Sequence, residues 1–358
     1  MNSDTIEHFL RLIRLGIGTD ASYYISGSID WVAVDALAQE QGLSAILIDA
    51  VDLLPDGERP TIVQLLQWIG TTLHDYEYRY ESYLRAIAGL SGFFNSQGLK
   101  MMVLKGFACS LDWPKPNHRP CGDIDIWLFG KQKEADSLIR NIKGIAVDTS
   151  EHHHTVFSWL DFIVENHYDF VNVHDYSSSQ KLELLFKQLG KDDSHYTILK
   201  GEKVYLPSPN LHALFLMRHM VSHFASVSIT LRQVLDWALF VRANHDGIDW
   251  DWLTAVLEKY HMFDFYSCIN GICVENLGFD VNIFPSVQFN PSMKERVLLD
   301  IINPEYDVNE PKHLLKRIRY KYNRWKGNWW KQELCYGESR CEGFLKGVWY
   351  HLLKPSSI

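Results

Sequence analysis

The sequence predicts an α+β fold: a small mixed β-sheet core with flanking helices, followed by a helical C-terminal domain. Three observations carry this reading. Apolar residues recur at helical spacing up to about residue 95, the period drops to two between about residues 100 and 173, and it returns to 3.6 after Pro207-Ser-Pro-Asn210.

In chain order, Ile6, Phe9, Leu10 and Ile13 share one helical face, and Trp31, Val34 and Leu37 recur at the same spacing after Asp30. Thr61 to Asn95 holds one or two helices, with an apolar stripe of Tyr83, Ile87, Leu90 and Phe94, and Gly98 ends it. Lys100 to Leu104 is a short apolar run after a glycine turn. Lys105-Gly106 follows, then a loop containing Pro114, Pro116 and Pro120, then Asp123 to Leu128, which alternates as a strand does. Gln132 to Ile142 reads as a helix crossing back over the sheet. Thr155 to Trp159 and Asp161 to Val173 alternate as an antiparallel pair. Leu211 to Phe224, Leu231 to Asn244 and Trp250 to Tyr260 are helical again. The expected divisions are an N-terminal helical region at 1–95, the sheet-bearing core at 96–206, a helical domain at 207–285 and a basic, aromatic segment at 286–358.

A chain of 358 residues exceeds one small domain, and 46% hydrophobic with 22% charged residues describes a globular core rather than a disordered polymer. No run of about 18 uncharged apolar residues occurs, and Asp4 and Glu7 precede the first apolar stretch, so neither a membrane span nor a secretory signal is expected. Six cysteines, at 109, 121, 268, 273, 335 and 341, have none of the spacings of a zinc site or disulfide framework and read as reduced thiols in a cytoplasmic protein. The net charge of −9 is uneven. Pro311 to Lys354 carries eleven Lys or Arg against three Asp or Glu, a balance of +8, which leaves −17 on the rest. A general polyanion binder would be basic throughout, so only this tail could contact an anionic partner.

Gly122-Asp123-Ile124-Asp125-Ile126 is the strongest local signal. Residues i and i+2 of a strand face one side, so both carboxylates point one way and Ile124 and Ile126 point to the core. Two carboxylates held together repel unless a cation lies between them, which suits Mg²⁺ or Mn²⁺. Upstream, Lys105-Gly106 occupies a strand-to-helix turn where glycine lets backbone amides approach a phosphate.

Val103-Leu104-Lys105-Gly106, the proline loop with Arg119, and Gly122-Asp123-Ile-Asp125 together resemble the uncharacterised bacterial nucleotidyltransferase family of the polymerase-beta-like superfamily. The likeness continues at Val164-Glu165-Asn166-His167, at Leu211, His219, His223, Leu231, Arg232 and Asp236-Trp-Ala, and at Ile248-Asp249-Trp250, covering roughly residues 35 to 285. It implies a nucleotidyltransferase core that moves a nucleoside monophosphate from a nucleoside triphosphate to an unidentified acceptor: a small molecule, a protein or a nucleic acid. Asp123, Asp125 and Glu165 would then be the catalytic and metal-binding carboxylates, with Lys105, Gly106, Ser110, Arg119 and Gly122 around the nucleotide. Phe107 follows Gly106 where the wider superfamily has Ser or Gly, so Lys105 or Ser110 would replace the missing hydroxyl. Along Val164 to Val171 the alternation groups Glu165, His167 and Asp169 on one face, opposite an assumed antiparallel neighbour bearing the Asp pair. The alternatives are a catalytically silent binding or scaffold module of this fold and, less favoured, an Asp-x-Asp glycosyltransferase, because Ile126, Trp127 and Leu128 carry the strand on inward.

Weaker signals count for less. His152-His153-His154 with His167 and His174 does not read as a metal site, since three adjacent residues cannot all face one point. His219 and His223 share a helix face but lack the Glu of a zinc protease, and read as core residues or as support for the site. Gly16-Ile-Gly18 lacks the strand a dinucleotide fingerprint needs. The tail aromatics Tyr320, Tyr322, Trp325, Trp329 and Trp330 could stack on bases or line a membrane surface, but packing on the helical domain is preferred.

Overall fold

The computed structural model describes residues 3–20, 27–173, 178–285, 289–305 and 313–337. His174 and Cys341 lie outside them. Five helices come first: α1 (Ser3–Gly16), α2 (Trp31–Glu40), α3 (Ser44–Leu53), α4 (Ile62–Thr71) and α5 (Arg79–Ser96). Asp30 caps α2 by accepting from the Ala33 amide, and Thr61 and Gln64 form a reciprocal capping box on α4. The sheet region follows as β1 (Met102–Val103), α6 (Lys105–Ser110), β2 (Ile124–Trp127), α7 (Gln132–Lys143), β3 (His154–Trp159), β4 (Phe162–His167), α8 (Ser179–Leu189), β5 (Tyr196–Leu199) and β6 (Glu202–Tyr205).

The six strands form one mixed sheet in the order β3-β4-β2-β1-β6-β5. The expected β3–β4 antiparallel pair is present, with β4 ending at His167 rather than running on to Val173. The assumed antiparallel neighbour of β4 is corrected: β2 and β4 run parallel, with α7 and β3 as the crossover between them. Parallel pairing keeps the faces apart as expected, because alternation depends on the pleat and not on strand direction.

Each face of the sheet has its own apolar core. Ile124, Ile126 and Val164 point to one side, against Tyr83, Ile87, Leu90 and Phe94 of α5 and Ala135 and Ile139 of α7. Met102, Leu104, Trp127 and Tyr205 belong to the other core, formed with α9 (Pro209–Ser226), α10 (Leu231–Asn244), α11 (Trp250–Lys259), α12 (Phe263–Gly271) and α13 (Pro291–Ile302). Helices α1 to α3 pack into this same second core, where Gln41 donates to the Ile301 carbonyl and accepts from the Leu231 amide.

Two helices, α14 (Leu314–Gly327) and α15 (Trp329–Tyr336), close the described chain. Trp329 and Lys331 of α15 are buried, Trp330 packs on Phe224 at 5.6 Å, and Lys331 pairs with Asp300 at 2.5 Å. Trp329 and Trp330 pack back on the helices as preferred, whereas Tyr322 is exposed. The described cysteines are free thiols, and among the described residues no helix is long and apolar enough to cross a membrane.

The proline loop before β2 is anchored on both sides. His118 Nδ1 lies 2.8 Å from Asp49 Oδ2 on α3, and Arg119 forms a two-pronged pair with Asp236 of α10 through Nε at 2.8 Å and an Nη at 2.9 Å. Both members of the Arg119–Asp236 pair are buried, and Trp113 Nε1 donates to the same carboxylate at 2.9 Å. Removing one partner of such a pair leaves an uncompensated buried charge. Asp236→Asn should therefore cost about 3–5 kcal/mol in chemical denaturation. Replacing Arg119 and Asp236 together by apolar residues should cost less than that single change; additive losses would show that the pair does not act as a unit.

Candidate active site

The site is built on the cross-strand register of β2 and β4. Asp125 lies directly opposite Glu165, and Trp127 opposite His167. Asp123 and Asp125 share the face of β2 that looks toward α9, because Ile124 and Ile126 occupy the other. The next residue over is Lys105, the first of α6, whose Nζ lies 2.7 Å from Asp125 Oδ1. His167 Nε2 lies 3.1 Å from the same oxygen and 3.6 Å from Glu165 Oε2. Its Nδ1 faces the Asp169 carbonyl at 3.2 Å. With an acceptor at each nitrogen, both donate and the ring is an imidazolium.

These contacts set the charges. Burial alone would push the Asp125 carboxyl up, but Lys105 and His167 hold it well below the usual carboxylate range. Burial disfavours the His167 cation, yet its hydrogen bonds to Asp125 and Glu165 push it up to about 9. Burial also opposes the charge of Lys105, and Asp125, with Asp123 and Glu165 behind it, more than offsets this. Asp123 is exposed and has no such partner among the described residues: its carboxyl is pushed up, first by burial of its surroundings and then by Asp125.

A cleft of about 590 Å³ opens over these groups, between the sheet face and helices α9 and α10. Lys105, Gly106, Gly122, Asp123, Asp125, Glu165 and Arg119 all border it, as do His219 and His223, one helical turn apart with rings 4.2 Å from each other. Burial, then the nearby Lys105 cation, lowers both of these imidazoles, so they line the wall neutral.

Two sequence-derived roles change. Ser110 is buried behind α6, donating to the Phe107 carbonyl at 2.7 Å and meeting Tyr80 Oη at 2.9 Å, so its hydroxyl does not reach the cleft. Arg119 borders the cleft, but its guanidinium is committed to Asp236. Asp125 is 3% exposed although it lines the cleft, whereas Asp123 is exposed. Asp169, the other acid of the alternating face, pairs with Lys187 of α8, whereas Glu165 gathers with Asp125 and His167.

Arg232, at the start of α10, is the cation that sequence reasoning passed over. It borders the cleft without a hydrogen bond or ion pair to another described residue, and burial, then neighbouring Arg119, lowers its pKa. It stood in the resembling pattern Leu231-Arg232, but only folding shows that α10 aims it at residues a hundred positions earlier. Tyr83 is similar: its hydroxyl donates to the Asp123 carbonyl at 3.0 Å and so fixes the turn into β2.

The sequence model of one family, described as uncharacterised nucleotidyltransferases, matches residues 27–278. The chain belongs to this nucleotidyltransferase family. The match spans the sheet, the cleft and helices α9 to α12. An antigenic nucleotidyltransferase-like protein from Paracoccidioides brasiliensis is a similar solved structure, at 13% identity, covering 49% of this chain and 87% of that one with a TM-score of 0.31. No curated protein matches. Nucleotidyltransferases usually use divalent metals, and the donors here fit one: ligand atoms of Asp125, Glu165 and His167 lie within 4.8 Å of one another, beside the uncompensated Asp123.

Gly106 is required by a close approach. A Cβ there would lie 2.4 Å from Tyr83 Oη, and Tyr83 is buried and cannot withdraw. Gly106→Ala should destabilise the protein by about 1–3 kcal/mol in urea titration, and Tyr83→Phe in the same chain should recover much of the loss. No recovery would mean that the glycine serves the backbone alone.

The cleft residues Phe170 and Val171 are held by Glu183, whose carboxylate accepts from both amides at 2.9 and 3.0 Å. Burial pushes the Glu183 carboxyl up to about 7. A raised folded-state pKa contributes stability below about pH 4.5 that is lost as pH rises through 7. Glu183→Gln, which keeps an acceptor, should therefore gain on the wild type between pH 5 and 8 in thermal unfolding; a gap that closes as pH rises would reverse the assignment.

Proposed function

We propose that the chain transfers a nucleoside monophosphate from a nucleoside triphosphate to an acceptor, with Mg²⁺ or Mn²⁺ held by Asp123, Asp125 and Glu165, as a cytoplasmic enzyme. The observation that carries this reading is the placement of Asp125 opposite Glu165 with Lys105 at 2.7 Å, at the floor of a cleft large enough for a nucleotide. A divalent ion bound there neutralises phosphate charge and favours deprotonation of the acceptor hydroxyl.

The residues of the chain do the rest. Lys105 presents an already oriented ammonium to a phosphate oxygen entering beside Asp125. Arg232, which borders the cleft without an ion pair to another described residue, supplies a planar donor set for a second phosphate. Gly106 lets the turn close against Tyr83 and so sets the backbone beside Lys105. Glu165, partly exposed and with His167 behind it, is the carboxylate best placed to take a proton from an acceptor. His219 and His223 stay neutral on the roof and can hydrogen-bond a base or acceptor without adding charge.

One observation favours binding without transfer. Phe107 is buried after Gly106 and the Ser110 hydroxyl is turned away, so the turn offers no side-chain hydroxyl to a terminal phosphate. Label transfer with pyrophosphate release, assayed with each triphosphate, Mg²⁺ or Mn²⁺ and a lysate of acceptors, separates the two.

Asp123→Asn is the cleaner test of the metal position, because Asp125→Asn would also leave Lys105 and His167 beside a neutral amide. In calorimetric titration Asp123→Asn should abolish metal-dependent triphosphate binding with the fold intact, and Arg232→Ala should weaken triphosphate more than monophosphate. Glu165→Gln should keep nucleotide affinity within a few-fold while losing at least ~100-fold in turnover. Unchanged metal-dependent binding in Asp123→Asn would remove that residue from the site.

A further inference from the structure

The histidine run behaves differently in the fold from what its adjacency suggests. His154 opens β3 and is the cross-strand partner of His167 on β4, so the two imidazoles share the site's face of the sheet. Glu165 lies between them: His154 Nε2 is 3.8 Å from its Oε1, and His167 Nε2 is 3.6 Å from its Oε2. His153 precedes the strand and escapes its alternation. Its carbonyl accepts from the Tyr168 and Asp169 amides at 3.0 and 3.1 Å, which pins the residue beside the end of β4. Its ring centroid lies 4.3 Å from that of His154 and 5.6 Å from that of His167.

Convergence comes from strand pairing, so three adjacent residues need not face one point. One donor nitrogen from each of His153, His154 and His167 lies within 4.8 Å of the others. His154 and His167 are 7% and 2% exposed, and the Nδ1 atoms of His153 and His154 are buried without a hydrogen-bond partner among the described residues. Unsatisfied buried nitrogens are costly in a protein interior. His167 already has the outer hydrogen bond that metal-binding histidines use, Nδ1 to the Asp169 carbonyl, and an arriving dication would replace the Nε2 proton that now faces Asp125 at 3.1 Å.

We propose that His153, His154 and His167, with the Glu165 carboxylate, bind a transition-metal dication of the zinc type. Three imidazoles and one carboxylate form a nitrogen-rich set that suits Zn²⁺, whereas Mg²⁺ selects oxygen donors. Tetrahedral bonds of about 2.1 Å put donors roughly 3.4 Å apart, so the side chains close by about an ångström or so around the ion. The site shares Glu165 and His167 with the cluster proposed for transfer but does not depend on that activity, and it places a second cation beside the Asp pair.

The test is to titrate the untagged, metal-stripped full chain with Co²⁺, reading its visible ligand-field absorption, and with Zn²⁺ in competition with a chromophoric chelator. One equivalent should bind with an absorption band of tetrahedral, nitrogen-coordinated Co²⁺, and a thousandfold excess of Mg²⁺ should not displace it. His154→Asn and His153→Asn, checked by circular dichroism, should each weaken Zn²⁺ binding by roughly 10-fold or more. A wild-type chain with no such band, or Zn²⁺ readily displaced by Mg²⁺, overturns the proposal, as does unchanged affinity in both variants. If a variant does not fold, the wild-type band decides. Mg²⁺-dependent nucleotide binding measured alongside tells the two readings apart: its loss with the cobalt band present counts against transfer only, and the converse counts against this site only.

Discussion

Asp125 lies almost fully buried in the sheet, and Lys105 and His167, at 2.7 and 3.1 Å, are what keep its carboxylate ionised. An isolated buried carboxylate would take up a proton instead, because desolvation in a low-dielectric interior costs several kcal/mol. Each cation in turn depends on Asp125, since burial alone would discharge both. This mutual dependence fixes the side chains at the cleft floor before any ligand arrives. Such preorganisation is what an electrostatic site requires.

The same logic extends outward through the proline loop. Arg119 and His118 carry cationic or donor groups into buried positions, and Asp236 and Asp49 meet them from helices on either side. Tyr83 adds a hydrogen bond to the Asp123 carbonyl from α5 beneath. The turn into β2 is therefore held from three directions, so Asp123 keeps its place although its carboxylate has no hydrogen bond or ion pair to another described side chain. A residue expected to bind phosphate, Arg119, serves this scaffold instead, and the cation left open to the cleft is Arg232.

The cleft gathers carboxylates and cations in a chain that is strongly acidic outside its tail. A nucleotide is itself anionic, so binding must rest on local cations rather than on the overall field. Lys105 and Arg232 both border the cleft, together with Asp123, Asp125 and Glu165. The neutral histidines on α9 and at the start of β3 extend the site without adding charge, which keeps the cleft's balance dependent on what it binds.

The sequence by itself determined the class of fold and the heart of the site. Period-two alternation grouped Asp123 with Asp125 on one side of β2, and alternation along β4 grouped Glu165 with His167 on one side of that strand, because pleat geometry is local and needs no knowledge of partners. The lysine-glycine turn, the helical periodicities and the family likeness were legible for the same reason. Tertiary structure decided which strands pair and in which direction, and so that Asp125 meets Glu165 in a parallel register. It decided that Asp236 claims Arg119, that Ser110 turns inward, that α10 brings Arg232 to the cleft, and that His153 and His154 converge on His167. Each of these joins residues tens to more than a hundred positions apart, and only packing around the two cores settles such distances, because local propensity carries no information about them.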